Sequence, residues 1–222
     1  MYLNHKIIVI APCLNEREKI QKVCERVLAE SAVDELVVVD DCSTDGSDEV
    51  SAKAGAKVIK LDARSGVGAA LRTGFNYAAT RCDILVVIAG NNKDEPKEIP
   101  RLLYPIIKDG FDFVQGSRFL PGGGYGGDMP FYRKIATRLH PLLFSLASRK
   151  KVTESTNGFR AFKTSLLNDE RIRLNQTWLN SYELEPYLLF KAVTLGYKTC
   201  EVPVTKIYPP KKIGNTKMVP FR

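Results

Sequence analysis

The chain has 222 residues, of which 44% are hydrophobic and 26% charged, and its formal net charge is +8. This composition supports one substantial core and excludes an intrinsically disordered chain. Five scattered cysteines with no CxxC pair argue against a disulfide framework or a zinc site and favour a reducing compartment. The sequence shows neither a signal-peptide pattern nor 18 consecutive apolar residues, so it predicts a cytoplasmic protein without a transmembrane helix.

The charge is unevenly distributed along the chain. Residues 1–128 contain 16 Lys and Arg against 19 Asp and Glu, whereas residues 129–222 contain 17 against 6, a net charge of +11. This asymmetry indicates either an anionic partner, such as phosphate groups, anionic lipid or nucleic acid, or a solvated basic surface. We do not expect nucleic acid to be the partner, because no recognised binding module or aromatic platform accompanies the charge.

Short runs of β-branched apolar residues predict strands that are buried on both faces of a parallel sheet. Apolar residues at helical spacing lie between these runs, and the alternating order predicts an α/β fold with an open, doubly wound, mostly parallel sheet in a single domain. The predicted strands are Lys6–Ala11, Glu35–Asp40, Ala56–Lys60, Asp83–Ala89, Phe113–Gly116 and Lys198–Val204. The predicted helices are Asn15–Ala29, Asp45–Ala54, Gly68–Thr80, Phe131–Ser148 and Leu179–Leu195.

Three segments of the second half have features of their own. The glycine-rich segment Pro121–Gly127 predicts a loop, either a mobile one at an active site or an ordinary surface loop. The basic amphipathic segment Phe131–Lys151 fits a helix in peripheral contact with a membrane, although its leucines would equally pack on the core. The segment Pro209–Lys217 is expected to be a basic loop.

Ligands of a doubly wound sheet bind beyond the carboxyl ends of the strands, and acids follow the first two strands. Glu16 could accept hydrogen bonds from ribose hydroxyls. Asp40 and Asp41 end an apolar strand, where a carboxylate is costly unless it is solvated or bound, and where it can pair with a nucleobase N–H. A helix-capping turn would explain the Ser, Thr and Asp that follow, but not two adjacent acids.

A series of short motifs occurs in a defined order along nearly the whole chain. The segments read PCLNE from Pro12, DDCSTDG from Asp40, GVGAALRTGF from Gly66, GSRF from Gly116, NGFRA from Asn157, ELE from Glu183, GY from Gly196, EVPV from Glu201 and a basic element from Lys211 to Lys217. In these motifs the chain resembles the family 2 glycosyltransferases of GT-A fold, and within them the polyprenyl-phosphate branch of the dolichol-phosphate mannosyltransferase type. The resemblance implies a Rossmann-like sheet, a nucleotide-sugar donor, a lipid-phosphate acceptor and inversion at the anomeric carbon.

The resemblance also implies roles for particular residues. Arg118 would face the donor diphosphate or the acceptor phosphate, since a guanidinium fork suits paired oxygens. Glu154 would be a base if the acceptor were a hydroxyl, or else a cap or a partner of Arg160, and Arg160 would contact the acceptor phosphate or form a structural salt bridge. The implied catalytic residues are Arg118, Lys93 and Glu154; the nucleotide-sugar residues are Pro12, Asn15, Glu16, Asp40, Asp41, Gly68, Asn91 and Lys93; the acceptor-phosphate residues are Arg133, Arg160, Lys211 and Lys217.

The sequence departs from the family where the diphosphate would bind. Members often carry DADxQ after this strand, and its acids hold Mg²⁺ or Mn²⁺, whereas this chain reads AGNNK over residues 89–93. A divalent ion is therefore a doubtful cofactor, although Asn91, with Asp94 or Glu95, could supply ligands after a loop shift. Otherwise Lys93 would neutralise the diphosphate as a point charge, unless it is a surface lysine paired with one of these acids.

Three functions are consistent with the sequence. The first is an inverting transfer of sugar from a nucleoside-diphosphate sugar to a polyprenyl phosphate, which needs no strong base because the second pKa of a phosphate monoester is about 6. The second is transfer to a saccharide hydroxyl, for which Glu154 or Asp128 would be essential. The third is a non-catalytic nucleotide-binding relative with a degenerate DxD site.

Overall fold

The computed structural model describes residues 1–209, which form nine strands and six α-helices in this part of the chain. Lys211 and Lys217 lie outside the described residues. The strands are β1 (Ile7–Cys13), β2 (Glu35–Asp40), β3 (Lys57–Lys60), β4 (Ile84–Val87), β5 (Phe113–Ser117), β6 (Gly124–Gly127), β7 (Arg160–Lys163), β8 (Thr199–Pro203) and β9 (Thr205–Tyr208). The helices are α1 (Arg17–Leu28), α2 (Ser47–Lys53), α3 (Val67–Ala78), α4 (Ile99–Asp109), α5 (Phe131–Ser148) and α6 (Leu184–Thr194).

Seven strands form one mixed, mostly parallel sheet in the order β3-β2-β1-β4-β7-β5-β8. The pairs β1–β2, β2–β3, β1–β4 and β5–β8 are parallel, whereas β7 is antiparallel to both β4 and β5. The chain runs outward from β1 to β3 and then returns to place β4 on the other side of β1. The strand order reverses between β1 and β4, and ligands of open α/β sheets bind in the crevice at such a point.

Alternate residues of the central strands face opposite layers of the protein. In β1, Ile7 and Val9 pack in a core with α1 and α4, whereas Ile8 and Ile10 pack in a second core with α3 and α6. These side chains are fully buried, as the continuous apolar runs predicted. The predicted α/β class, the doubly wound sheet and the helices on both faces are thus confirmed.

Several predicted elements need correction. The last predicted helix begins at Leu184 rather than Leu179, because Thr177–Asn180 forms a 3₁₀ turn. Pro121–Gly127 is not wholly a loop, since Gly124–Gly127 forms β6, which pairs in parallel with β9. No helix was predicted over Ile99–Asp109, where α4 carries prolines at its second and seventh positions.

None of the helices within residues 1–209 combines the length and the apolar character needed to cross a membrane. The amphipathic segment does form the 18-residue helix α5. Its leucines do not pack on the core: large apolar side chains remain exposed along one side of the helix.

Gly68 in α3 is required by packing. A Cβ atom at this position would lie 2.0 Å from the carbonyl oxygen of Leu179 and 2.5 Å from that of Ser181. Both neighbours are backbone atoms, so relief would require the helix to move away from the Thr177–Asn180 turn.

We expect Gly68→Ala to lower the free energy of unfolding by at least about 2 kcal/mol, because the clash exceeds the helix propensity gained by alanine. Urea unfolding followed by circular dichroism measures this effect. Gly124→Ala is the matched control, since no atom lies within 4 Å of a Cβ at that position. Equal unfolding midpoints for the two variants would contradict this account of Gly68.

Candidate functional site

A cavity of about 340 Å³ lies at the carboxyl ends of β1, β2 and β4. It is the place where the loops after these strands meet α1, the start of α3, the start of α5 and the end of β9. Five basic side chains line it, together with three carboxylates. These residues are Lys19, Arg64, Lys93, Arg133 and Lys206, and Glu16, Asp41 and Glu185.

The loops after β1 and β2 are held to each other by hydrogen bonds. The backbone N–H of Asn15 donates to Ser43 Oγ at 2.8 Å, and Asn15 Oδ1 accepts from the N–H of Thr44 at 2.9 Å. Asp40 is fully buried and accepts from both the backbone N–H and the hydroxyl of Ser43. Asn15 and Asp40 therefore shape the edge of the cavity, and neither lines it. For Asp40 the structure shows a fully buried, turn-capping carboxylate that does not line the cavity.

Asp41 and Glu16 do line the cavity, as does Pro12 at the end of β1. The two oxygens of Asp41 accept from the backbone N–H groups of Ser65 and Gly66, at 2.6 and 2.9 Å. Asp41 thus fixes the segment that leads into α3 while remaining at the cavity wall. Gly68, by contrast, packs against the backbone of Leu179 and Ser181 and does not line the cavity.

Glu16 pairs with Lys19 on the first turn of α1, at 2.6 Å between Oε2 and Nζ. Glu16 is one of the two acids lining the cavity that the sequence assigned to nucleotide binding. Asp41 is the other, and the structure brings both to the same cavity, beside Pro12 and Asn91.

The loop after β4 directs its acids away from the cavity. Asp94 is 3% exposed, accepts from the backbone N–H of Ala89, and forms an ion pair of 2.6 Å with Lys206 of β9. Glu95 pairs with Arg26 of α1 at 2.6 Å. The loop shift that would bring these acids to a metal therefore has to break two ion pairs.

Lys93 lies in the cavity wall and is not the surface lysine considered above, because no carboxylate of residues 1–209 lies within ion-pair distance of it. Its Nζ lies 5.2 Å from the ring centroid of Tyr208, and its carbonyl accepts from the N–H of Ile207 at 2.7 Å. Burial lowers the pKa of the Lys93 ammonium to about 8, and the positive charges of Arg133 and Lys206 act in the same direction. The cavity therefore concentrates positive charge at this point.

Arg118 and Glu154 form a buried ion pair, and neither lines the cavity. Their side chains are 2% and 0% exposed. Arg118 Nε donates to Glu154 at 2.6 Å, its second nitrogen to the Tyr208 hydroxyl at 2.7 Å, and its third to Thr156 Oγ1 at 2.9 Å. Arg118 was expected at a phosphate, but it does not line the cavity, each of its three nitrogens donates to a protein group, and Glu154 is its partner rather than that of Arg160.

Arg160 is also buried and structural. Its guanidinium donates to the carbonyl oxygens of Glu185 and Asn157, at 2.8 and 2.6 Å, and lies 3.4 Å from the Glu185 carboxylate. Of the four expected acceptor-phosphate residues, only Arg133, in the first turn of α5, lines the cavity; Arg160 does not, and the two lysines lie outside the described residues.

The sequence did not identify several side chains that complete the cavity. Lys206 and Arg64 supply positive charge, and Tyr182 and Thr156 line the side nearest α5. Arg64 lies two residues before the glycine motif that begins at Gly66, and this position was a usable signal. No local sequence signal identified Lys206, because it reaches the cavity only through the contact of β9 with the loop after β4.

The Arg118–Glu154 pair generates a test of stability. Glu154→Gln leaves a buried guanidinium without its counter-charge, and we expect the free energy of unfolding to fall by about 3–5 kcal/mol. The double variant Arg118→Met, Glu154→Gln should lose less than the sum of the single losses, because it removes both charges. Urea denaturation measures all three. A Glu154→Gln protein of unchanged stability that lacks activity would instead indicate a catalytic Glu154.

The pKa of Lys93 is directly measurable. After reductive ¹³C-methylation, the NMR resonance that is missing in Lys93→Arg should titrate with a midpoint near 8, whereas exposed lysines titrate near about 10.4. The direction follows from burial and from neighbouring cations, which both destabilise the ammonium. A midpoint above 10 for this resonance would show that Lys93 is solvated.

The sequence and the fold both match known proteins. Residues 8–170 match the family described as Glycosyl transferase family 2. Polyprenol monophosphomannose synthase of Mycolicibacterium smegmatis is 27% identical over 220 residues, which cover 96% of this chain and 81% of the relative. Dolichol-phosphate mannosyltransferase of Pyrococcus furiosus is 32% identical over 180 residues, 77% of this chain and 49% of the relative.

Among solved structures, glucosyl-3-phosphoglycerate synthase from Mycobacterium tuberculosis, in complex with Mn²⁺, uridine diphosphate and glucosyl-3-phosphoglycerate, has a TM-score of 0.68 at 26% identity. The similarity covers 91% of this chain and 71% of that one. The predicted GT-A architecture is thereby confirmed. With the family match over residues 8–170, it shows that the chain is a glycosyltransferase and belongs to glycosyl transferase family 2.

Proposed function

We propose that this enzyme transfers a sugar, with inversion, from a nucleoside-diphosphate sugar to a lipid phosphate of the polyprenyl type. One observation supports a lipid as the acceptor: α5 exposes an apolar face, and Arg133 in the first turn of this helix lines the cavity. Relatives that cover most of the chain support the same acceptor, since they are named as polyprenol monophosphomannose synthase and dolichol-phosphate mannosyltransferase.

In this proposal the donor binds at the switch point of the sheet. Glu16 and Asp41 offer oxygens to the ribose and the base. Lys93 and Lys206 offer positive charge to the diphosphate. Gly90 allows the chain to pass close to β1, because a Cβ there would lie 2.7 Å from the Pro12 carbonyl oxygen. All of these groups line the same cavity, as binding of one nucleotide sugar requires.

The chemistry of the cavity favours a phosphate as acceptor. A sugar hydroxyl needs a base, and the expected base Glu154 is buried against Arg118, outside the cavity. Asp128, the other expected base, is exposed and likewise does not line the cavity. A phosphate monoester is already anionic at neutral pH, so positioning and charge stabilisation are sufficient for its attack.

The geometry of α5 favours a lipid. At about 100° per residue, its exposed apolar side chains span about 120° of the helix circumference, and its buried residues Thr137, Pro141 and Phe144 lie on the opposite side. The exposed set is Phe131, Tyr132, Ile135, Leu139, Leu142, Leu143 and Leu146. Such an arc, with a buried side facing the protein, is the arrangement of a helix that lies in a membrane interface.

The charges around α5 select an anionic membrane over a second copy of the chain. Lys134 and Arg138 flank one edge of the apolar arc, and Arg149, Lys150 and Lys151 follow the helix. Two copies facing each other here would bring like charges together, whereas anionic headgroups complement them.

A second cavity of about 260 Å³ adjoins the first and reaches α5 at His140. The two cavities share Thr156, Tyr182 and Glu185. A lipid phosphate that enters from the α5 side would therefore reach the sugar-bearing end of the donor. An oxygen of this phosphate attacks the anomeric carbon, the bond from that carbon to the diphosphate oxygen breaks, and the nucleoside diphosphate leaves with the bonding electrons.

We expect transfer of radiolabelled sugar to undecaprenyl or dolichyl phosphate in neutral detergent from at least one donor of a UDP- and GDP-sugar panel. Arg133→Met should raise the KM for the lipid phosphate about tenfold or more, because it removes a charge-assisted hydrogen bond. Lys22→Met, at an exposed lysine of α1 outside the cavity, is the control and should change it little. Transfer only to a saccharide or to a small water-soluble acceptor, or no transfer from any donor, would contradict the proposal.

The membrane contact is tested separately by sedimentation with vesicles. The protein should bind vesicles that contain phosphatidylglycerol more tightly than phosphatidylcholine vesicles. The variant Leu142→Gln, Leu146→Gln should weaken binding about tenfold or more with little change in Tm, because these side chains are 66% and 78% exposed. Tyr104→Gln, an exposed change on α4 across the sheet, should leave binding unchanged. If the leucine variant binds like the unmodified protein, α5 is not the membrane face.

A further inference from the structure

We infer that Lys93 and Lys206 neutralise the donor diphosphate in this enzyme, in place of a divalent metal ion. The inference rests on the proposed function for the identity of the ligand, a nucleoside diphosphate. It goes beyond that function because related structures, such as glucosyl-3-phosphoglycerate synthase, contain Mn²⁺ or Mg²⁺ together with uridine diphosphate.

The side chains at this point do not form a site for Mg²⁺ or Mn²⁺. Such ions are bound by oxygens, usually including one or two carboxylates. Asp94 gives one oxygen to Lys206 and the other to the backbone N–H of Ala89, and Glu95 is paired with Arg26. Asn91 Oδ1, the remaining oxygen ligand expected here, accepts from the N–H of Lys93 at 3.3 Å.

The cavity acids are also engaged elsewhere. Asp41 accepts two backbone N–H groups, Glu16 is paired with Lys19, and Glu185 is paired with Arg160. Within residues 1–209, no group of three or more His, Cys, Asp or Glu side chains has an arrangement that could hold a metal ion. In the described chain, lysines therefore lie at the expected diphosphate site, where the family motif DADxQ has acids.

Lys206 is held so that one donor remains for a ligand. Its ammonium donates to Asp94 Oδ1 at 2.6 Å and to Asn157 Oδ1 at 2.9 Å, and an ammonium has three N–H donors. The side chain is nearly buried and still lines the cavity. Its position is thus fixed before any ligand binds, as electrostatic preorganisation requires.

Lys93 supplies a second positive charge that forms no ion pair with a carboxylate of the described chain, and Glu16 acts on it only as a nearby charge. It lies between the Tyr208 ring and the cavity, and the charges of Lys206 and Arg133 act on it. Repulsion among these cations is relieved when a dianionic or trianionic diphosphate binds. The same cations would stabilise the charge that develops on the leaving nucleoside diphosphate, which is the electrostatic part of a metal's contribution.

Lys93 is the better residue to mutate, because its removal leaves no buried carboxylate without a partner, whereas replacing Lys206 would strand Asp94. Isothermal titration calorimetry with UDP and GDP, in EDTA and then in Mn²⁺, measures the affinity. In EDTA we expect a Kd within about twofold of that in Mn²⁺, and a loss of about tenfold to a hundredfold in Lys93→Met. Lys93→Arg keeps the charge and should retain most of the affinity.

Two controls separate a role in diphosphate binding from a structural one. Lys22→Met, on the exposed side of α1, should change no affinity. Binding of the nucleoside alone, uridine or guanosine, should be equal in Lys93→Met and the unmodified protein, because the lysine acts on the phosphates.

Each result bears on the inference. Binding that falls at least tenfold in EDTA and returns with Mn²⁺ would overturn it while leaving the proposed function intact. Metal-independent binding that is equally strong in Lys93→Met would overturn the role of this lysine. If neither nucleotide binds under either condition, both the inference and the proposed function are contradicted.

Discussion

The ion pair between Asp94 and Lys206 determines how the cavity is built. It joins the loop after β4 to β9, two segments separated by more than 100 residues, and both partners are almost completely buried. Separating the two segments would leave each buried charge without its partner, which is costly, so the pair holds the segments together in the folded protein. This ion pair keeps the Asp94 carboxylate out of the cavity lining and brings the Lys206 ammonium into it.

A second buried ion pair, Arg118–Glu154, contacts Tyr208, which in turn lies beside Lys93. Arg118 binds Glu154 and also donates to the Tyr208 hydroxyl, and the ring of Tyr208 lies against Lys93. Arg118 therefore acts on the cavity through Tyr208, as a positioning residue, while Lys93 and Arg133 line the cavity themselves. This division explains why one arginine can match a family motif and yet make no contact with the cavity.

The central strands could be predicted from sequence because each carries its own signal. β1, β2 and β4 are continuous β-branched runs that only a doubly covered sheet can bury, and loops after them hold the acids Glu16 and Asp41. β7 could not be predicted in this way, since a four-residue antiparallel strand between β4 and β5 is defined by its partners and not by local sequence.

The same distinction applies to the charged residues. Lys93 was identified by its place in a motif, but the partners of Arg118 and Arg160 lie 36 and 25 residues away along the chain, and sequence spacing gave no means of pairing them. Burial separates them from the cavity: both guanidinium groups are enclosed by protein groups, and neither lines the cavity. Within residues 129–209, Arg160 is thus buried and structural, Arg133 and Lys206 line the cavity, and Lys134 and Arg138 border the exposed apolar side of α5.

The central claim is that this glycosyltransferase holds its donor diphosphate with lysines. The most direct test is a crystal structure of the enzyme with a nucleoside diphosphate, grown in MnCl₂ and measured at a wavelength where manganese scatters anomalously. We expect phosphate oxygens within about 2.7–2.9 Å of the Nζ atoms of Lys93 and Lys206, and no anomalous peak at the diphosphate. A manganese peak that bridges the two phosphates, with Asn91 or Asp94 among its ligands, would contradict it.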